Sequence, residues 1–154
     1  PIGHTSWMID LGTPYDDIRK AWIEEGKKSI KAANELGIKL VNFHGHSGMI
    51  FFEDPGLKKE ILNNYIKSLK ELVSHGKEMG IRIMLENMPD KWEISTFRDY
   101  KYVIDRVMDL GVHLDVAHAF INGGMKSVRG FTNTFKKNIV HVHFSDSLGF
   151  DDHL

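Results

Sequence analysis

The chain has 154 residues, a formal net charge of −1 at pH 7 and 42% hydrophobic residues, a composition that supports one globular core. No apolar run reaches the ~20 residues needed to span a bilayer and no secretory signal is present, so a cytoplasmic protein is expected. With no cysteine and nine histidines, disulfides and thiolate metal sites are excluded, and a transition-metal site has to be assembled from imidazole and carboxylate.

The chain opens on a short strand, PIGH, carrying Ile2 and His4. A helix over YDDIRKAWIEEGKKSIKAANEL follows, with Thr13 as its N-cap, Pro14 at the first helical position and Gly37 ending it before the strand IKLVNFHGH. Asp54 and Pro55 precede a second helix, LKKEILNNYIKSLKELVSHGKEM, which Gly80 ends before IRIMLENM. Ser95 and Thr96 precede a third, FRDYKYVIDRVMDL, which Gly111 ends before VHLDVAHAF. A fourth, roughly KSVRGFTNTFKK, is ended by Asn138 before IVHVHFSD. The tripeptides LGI, MGI, LGV and KNI share one logic: Gly or Asn takes the left-handed position and an aliphatic residue follows.

These caps recur at spacings that suit βα units of ~30 residues or more. Helices alternating with aliphatic strands imply a parallel α/β sheet in a single domain over residues 1–154. A doubly wound open sheet and a section of a (β/α)8 barrel both fit. A complete barrel takes ~250 residues, so the chain would cover about five βα units of it. An incomplete barrel leaves two unpaired edges, and the chain is expected to be a piece of a longer protein with units missing at both ends.

Alternation along each strand separates two faces. Val41 and Phe43 oppose Asn42, His44 and His46; Ile83 and Leu85 oppose Met84 and Glu86; Leu114 and Val116 oppose His113 and Asp115; Val140, Val142 and Phe144 oppose His141, His143 and Ser145. Every strand thus carries an ionisable residue near its C-terminal end, opposite its aliphatic stripe: His4, His44, Glu86, Asp115 and His143. That end is where sites form in barrels and in open α/β sheets. A lone strand histidine is usually a satisfied interior residue. Glu86 in MLENM and Asp115 in HLDVAH, however, are carboxylates among aliphatics, and a bound cation removes the cost of burying them. His118, in what reads as a loop after Asp115, and the D-x-H pair Asp151 and His153 can reach the same rim. His46, His113 and His141 share the inner face without an assigned role, and His75 sits on a solvated helix face. Phosphate-loop, dinucleotide and nucleophile-elbow motifs are absent.

The segments HTSWMIDLG, LVNFHGHSG, LENMP, LDVAHAF and HVHFSDSLGFDDHL together resemble the endonuclease IV family of metal-dependent apurinic/apyrimidinic (AP) endonucleases, within the xylose-isomerase-like TIM-barrel superfamily. The resemblance spans essentially the whole chain. It implies a (β/α)8 TIM barrel with up to three zinc ions, manganese or magnesium being the alternatives. His4 and His44 would hold one ion, Asp115 and His143 the second, and His118, Asp151 and His153 the third, with a further glutamate supplied from beyond Leu154. Glu86 would bridge the ions and the activated water as the catalytic carboxylate, and Trp7 would contact the substrate. The implied partner is DNA with abasic sites, cleaved on their 5′ side.

The chain departs from that family's pattern at Asp10, Gly45, Val116-Ala117 and Ser145, and its segment between Asp146 and Asp151 is short. In these respects it is closer to the superfamily's sugar and sugar-phosphate isomerases and epimerases. Those hold one divalent ion, for which Glu86, Asp115 and His143 would suffice. A metal-binding piece without turnover is the third alternative. The number of ions bound separates the first two.

Overall fold

The structure, a computed structural model, describes residues 1–46, 54–89 and 94–150. Within them, elements follow in the order β1 (Gly3–His4), α1 (Asp16–Glu35), β2 (Leu40–His44), α2 (Pro55–Glu78), β3 (Arg82–Glu86), α3 (Phe97–Ile104), β4 (Gly111–Asp115), α4 (Val116–Ile121), α5 (Gly124–Phe135) and β5 (Ile139–His143). All four strand pairings are parallel and the strand order is β1-β2-β3-β4-β5. A doubly wound sheet reverses its order at a switch point; a sheet that never reverses is a section of a TIM barrel. Among the described residues no helix is long and apolar enough to cross a membrane.

The first two helix ends match their expected motif. Gly37 has φ 71°, its N–H donates to the Asn34 carbonyl and that of Ile38 donates to Ala33. Gly80 has φ 65°, with Gly80 N–H donating to Lys77 and Ile81 N–H to Gly76. Both are Schellman caps, and the aliphatic residue after each glycine leads directly into the next strand. At the helix starts, the Asp54 carboxylate accepts from the N–H groups of Gly56 and Leu57, and the Thr96 hydroxyl accepts from that of Asp99.

Elsewhere the local expectations are corrected. Thr13 does not cap α1; Tyr15 precedes it in extended conformation without a side-chain bond. The Thr13 segment is instead tied to α2, where the Asn64 side chain donates to the Gly12 and Thr13 carbonyls and the Ser68 hydroxyl to that of Leu11. Gly111 is not a left-handed cap. The left-handed residue is Asp109, with φ 65°, α3 stops at Ile104, and Gly111 opens β4. Asn138 likewise is not left-handed. The stretch holding His118 is the short helix α4, so two helices separate β4 from β5.

The helices cover one face of the sheet. Val41, Phe43, Ile83, Leu85, Val112 and Leu114 point outward into a core shared with Ile23 and Ile30 of α1, Leu69 and Leu72 of α2, Tyr100 of α3, and Phe131 and Phe135 of α5. Burying such a side chain is worth about 1.5–3 kcal/mol, so this face, not the exposed i,i+3 ion pairs along α1, holds the helices down. Past Ile139 the outward side is uncovered among the described residues: Val142 of β5 is 42% exposed and Phe144, just beyond the strand, 88%.

One irregularity sets which way β5 faces. The β4–β5 register runs Val112↔Ile139 and then His113↔His141, a one-residue shift that leaves Val140 extra. Strict alternation would put Ile139 on the same side as His141 and His143. The shift lets Ile139 pack on the core while both histidines turn to the inner face. Gly111 accommodates the extra residue, since a Cβ there would lie 2.7 Å from Val140 Cγ2 and 3.2 Å from Met84 Cβ. Gly111→Ala is therefore expected to lower stability by about 1–3 kcal/mol in urea unfolding, with partial recovery in Gly111→Ala/Val140→Ala. Gly130→Ala in α5, where a Cβ meets nothing within 4 Å, should raise stability by about 0.5–1 kcal/mol.

Candidate metal centre

His4, His44, Glu86, Asp115 and His143 are each the last residue of their strand. Parallel register places His44 beside Glu86 and Asp115 beside His143, so one rim gathers side chains that lie far apart in sequence. Glu86 is at the centre, 2% exposed. Its Oε2 lies 3.4 Å from His4 Nε2, 3.6 Å from His44 Nε2 and 3.5 Å from His113 Nδ1. Its Oε1 lies 3.4 Å from His143 Nδ1 and 3.7 Å from His118 Nδ1. Asp115, fully buried, stands 3.4 Å from His143 Nδ1 through Oδ2 and 3.8 Å from His118 Nδ1 through Oδ1.

Two asparagines hold these groups in place. Asn42 Nδ2 donates to Glu86 Oε2 at 2.6 Å and lies 3.2 Å from His4 Nε2. Asn87 follows Glu86 directly, and its side chain pairs with the backbone of Asp115 in both directions: Nδ2 donates to the Asp115 carbonyl at 2.9 Å and Oδ1 accepts from the Asp115 N–H at 2.8 Å. Asp115 in turn caps α4 by accepting from the His118 N–H at 2.8 Å. His118 Nδ1 is 2.8 Å from the Asn87 carbonyl, which can only accept; the ring hydrogen therefore sits on Nδ1 and the lone pair on Nε2.

Burial pushes the pKa of His44 down to about 4 and that of His113 to about 3. Contact with Glu86 raises that of His4, against its partial burial. Burial alone would raise the Glu86 carboxyl, but the His4 hydrogen bond and the neighbouring His113, His44 and His118 outweigh it and hold the group at about 2. At neutral pH the site thus offers an ionised Glu86 and neutral His44 and His113, ligands already deprotonated for a metal.

The buried polar atoms fit a cation. Among the described residues, His44 Nδ1, both ring nitrogens of His113 and Asp115 Oδ2 have no hydrogen-bond partner. Donor atoms of His4, Glu86, His113 and His143 all lie within 4.8 Å of one another, as do those of Glu86, Asp115 and His118. Imidazoles and carboxylates at these separations could hold a divalent ion.

The rim therefore brings together His4, His44, Glu86, Asp115, His118 and His143. Asp151 and His153 lie outside the described residues. Trp7 is 60% exposed at the mouth, its ring edge-on to His46 at 5.4 Å. Asn42, Asn87 and His113 also belong to the cluster but were not singled out by the strand-end pattern. His113 shares the inner-face parity one tier below Asp115, and the two asparagines neighbour the carboxylate they support.

The whole chain, residues 1–154, matches the xylose isomerase-like TIM barrel family. An uncharacterized protein of Methanocaldococcus jannaschii is 31% identical over 148 residues, covering 95% of this chain and 55% of that protein. A probable endonuclease 4 of Aquifex aeolicus is 29% identical over 141 residues, covering 88% of this chain and 48% of that protein. Among solved structures, a D-tagatose 3-epimerase-like protein is similar with a TM-score of 0.84 at 27% identity, covering 98% of this chain and 58% of the other. The D-psicose 3-epimerase of Clostridium cellulolyticum H10 is similar in fold, with a TM-score of 0.76 at 21% identity over 94% of this chain and 51% of its own. The chain spans about half the length of the curated relatives it matches. Parallel strands in unbroken order, an ionisable rim at their C-terminal ends and a family match along the entire chain lead to one conclusion: this protein belongs to the xylose isomerase-like TIM barrel family.

Proposed function

We propose that this protein is a divalent-metal-dependent hydrolase that cleaves DNA phosphodiester bonds at abasic sites through a multinuclear, zinc-class centre on Glu86. The observation that carries this reading is the split surroundings of the Glu86 carboxylate. Oε2 faces His4, His44 and His113, while Oε1 faces His143 beside Asp115. A carboxylate with separate imidazole sets on its two oxygens suits a bridge between ions, and a one-ion site has no use for His4 and His44. The probable endonuclease 4 of Aquifex aeolicus supports the same reading.

In this reading His4 and His44 hold one ion with Glu86, Asp115 and His143 a second, and His118 with Asp151 and His153 a third. Bound ions supply Lewis acidity and neutralise charge on a phosphate oxygen. The chain's own residues do the rest. Asn42 orients Glu86, Asn87 fixes the height of Asp115 and the tautomer of His118, and exposed Trp7 offers a face on which an unpaired base stacks, a contact worth about 1–3 kcal/mol.

A second reading, a single-ion sugar or sugar-phosphate isomerase or epimerase, rests on two observations. One is the similarity to the D-tagatose 3-epimerase-like protein. The other is that, among the described residues, the segments following the strands at this rim (5–15, 45–46, 87–89, 94–96, 116–123 and 144–150) contain no Lys or Arg to meet DNA phosphates. Glu86, Asp115 and His143 alone would hold that ion.

Elemental analysis after chelator-free purification separates the two. Two or more zinc ions per chain, with incision of a duplex containing one abasic site, is the expected result; a single manganese with turnover of a ketose and no incision would replace the first reading by the second. Under the first reading Glu86→Gln lowers incision by more than ~100-fold, since loss of a mere outer-shell partner already costs ~10–100-fold. Asn87→Ala leaves the buried Asp115 backbone groups unpaired. It is expected to cost about 1–3 kcal/mol in thermal unfolding and to weaken metal binding ~10–100-fold by equilibrium dialysis.

A further inference from the structure

The helices that leave the rim carry basic side chains that the rim segments lack. α2 and α3 follow the strands ending in His44 and Glu86, and α5 follows β4 through α4, so all three start at the same end of the sheet as the Glu86 centre. Side chains lean toward the N-terminus of their helix, which brings long ones in the first turns toward that end. Two grooves lie there and share Thr96. The first, of about 610 Å³ between α2 and α3, is lined by Lys58, Lys59, Arg98, Asp99 and Tyr102. The second, of about 400 Å³ between α3 and α5, is lined by Asn122, Lys126 and Ser127. Together they set Lys58, Lys59, Arg98 and Lys126 against the one acid Asp99, in a chain whose formal net charge is −1. That acid is already matched: Asp99 Oδ2 lies 2.6 Å from Lys58 Nζ and accepts from the Thr96 hydroxyl at 2.7 Å. Lys59, Arg98 and Lys126 are exposed, and no ion pair with a described residue engages them, whereas Arg19, Lys20, Lys27 and Lys28 of α1 each meet an acid three residues away. The walls are fixed to each other and to the centre. Tyr102 Oη donates to Asn63 Oδ1 at 3.0 Å, joining α3 to α2, and Asn122 Nδ2 donates to the carbonyl of Met88, two residues past Glu86, at 2.8 Å.

We propose that the two grooves form one track for the sugar–phosphate backbone of duplex DNA flanking the abasic site, with Lys59, Arg98 and Lys126 meeting its phosphates. Resting on the reading of Glu86 as the centre of a DNA hydrolase, this track supplies the positive surface that the described rim segments do not. Phosphate contacts are made largely by Lys and Arg, and they position a duplex without reading its sequence. Packed helices stand ~8–10 Å apart, so basic side chains on three in a row span ~16–20 Å. One DNA strand advances ~3.4 Å per phosphate, so that span covers about five or six nucleotides. A sugar phosphate presents a single phosphate and cannot reach from α2 to α5. Ser127, and the first-turn N–H groups of α5 that Gly123 leaves without a side-chain cap, add donors for a phosphate oxygen. Contacts to phosphates that do not react hold substrate and transition state alike, so they lower KM and leave kcat to the centre.

The test is binding of an intact duplex, and of the same duplex with one abasic site, followed by fluorescence anisotropy between ~50 and ~200 mM KCl. The unchanged chain is compared with Lys59→Ala/Arg98→Ala/Lys126→Ala and with a charge-matched control, Lys31→Ala/Lys39→Ala/Lys137→Ala, whose exposed residues line neither groove. In the groove variant the slope of log affinity against log salt should become shallower by about 2–3, at ~0.9 per phosphate contact, and affinity should fall ~10-fold or more for both duplexes. Incision of the abasic duplex should show a raised KM with kcat unchanged. The control should stay within about twofold of the unchanged chain, its charges being screened from the track. Should the triple variant fail to fold, Lys59→Ala alone decides, with a slope shallower by ~0.9. A groove variant that binds the duplexes no more weakly than the control overturns the track. So does a loss of affinity for polyglutamate with none for the duplexes, which would mark an acidic protein partner instead. An unchanged chain that binds both duplexes through these side chains yet incises neither overturns the hydrolase reading of Glu86 and leaves a DNA-backbone track standing.

Discussion

A carboxylate taken out of water has to be met by hydrogen bonds or by positive charge, and Glu86 and Asp115 are both taken out of water at the same end of one sheet. Most of what is unusual about this chain follows from that. Among the described residues, hydrogen bonds reach Glu86 from Asn42 and His4, and Asp115 from the N–H of His118. The rest of the surroundings is imidazole, and burial keeps His44 and His113 neutral, so they cannot supply the missing charge themselves. Two buried carboxylates ringed by imidazoles are an arrangement that a cation would complete, which is why the site is a candidate metal centre even though each histidine alone would be unremarkable.

The two faces of the sheet divide the work. Outward residues such as Phe43, Leu85 and Leu114 bind the helices and supply the stability that the inward face draws down. The division is enforced residue by residue, since a slip of one position would exchange core and site along a whole strand. Two devices protect it. Asn87 continues the β3–β4 pairing past its last ladder residue by substituting a side-chain amide for backbone, which fixes Asp115 relative to Glu86. The extra residue Val140, seated on Gly111, turns β5 so that His141 and His143 face inward while Ile139 stays in the core. The same buried Asp115 also starts α4, so rim geometry and helix placement are coupled through one carboxylate.

Much of this was legible in the sequence because it is written in local chemistry. The Schellman caps at Gly37 and Gly80 carry their glycine and following aliphatic in plain view, and the alternation of Val41, Phe43, Ile83 and Leu85 with polar neighbours identifies the rim. The misreadings share a cause: one local signal with two structural meanings. Gly111 before a valine looks like another left-handed cap, yet it is glycine because Val140 and Met84 press against it, while Asp109 takes the positive φ. Thr13-Pro14 looks like a helix start, yet that segment is claimed by Asn64 and Ser68 of α2, contacts across more than fifty residues. The strand-end pattern gives His113 no role, because depth along a strand and a register shift in the neighbouring strand have no compositional signature.

The family's likeness to both an endonuclease 4 and an epimerase-like protein has a physical basis in the site itself. Glu86, Asp115 and His143 stand together as a wedge that could hold one divalent ion, and such a wedge would serve any reaction needing an oxygen polarised at the mouth of a barrel. What differs between reactions is the positive charge gathered around the wedge. A sugar carbonyl develops one negative charge and is served by one ion; a phosphodiester already carries one and develops more, so it calls for additional cations. In this chain the described rim segments bring no Lys or Arg, whereas His4, His44, His113 and His118 crowd the two oxygens of Glu86. Neutral imidazoles contribute charge only by binding metal. Among the described residues, rim segments without basic side chains and with several imidazoles around Glu86 would meet a substrate's charge through bound ions, and the number of ions held is what would divide the two reactions.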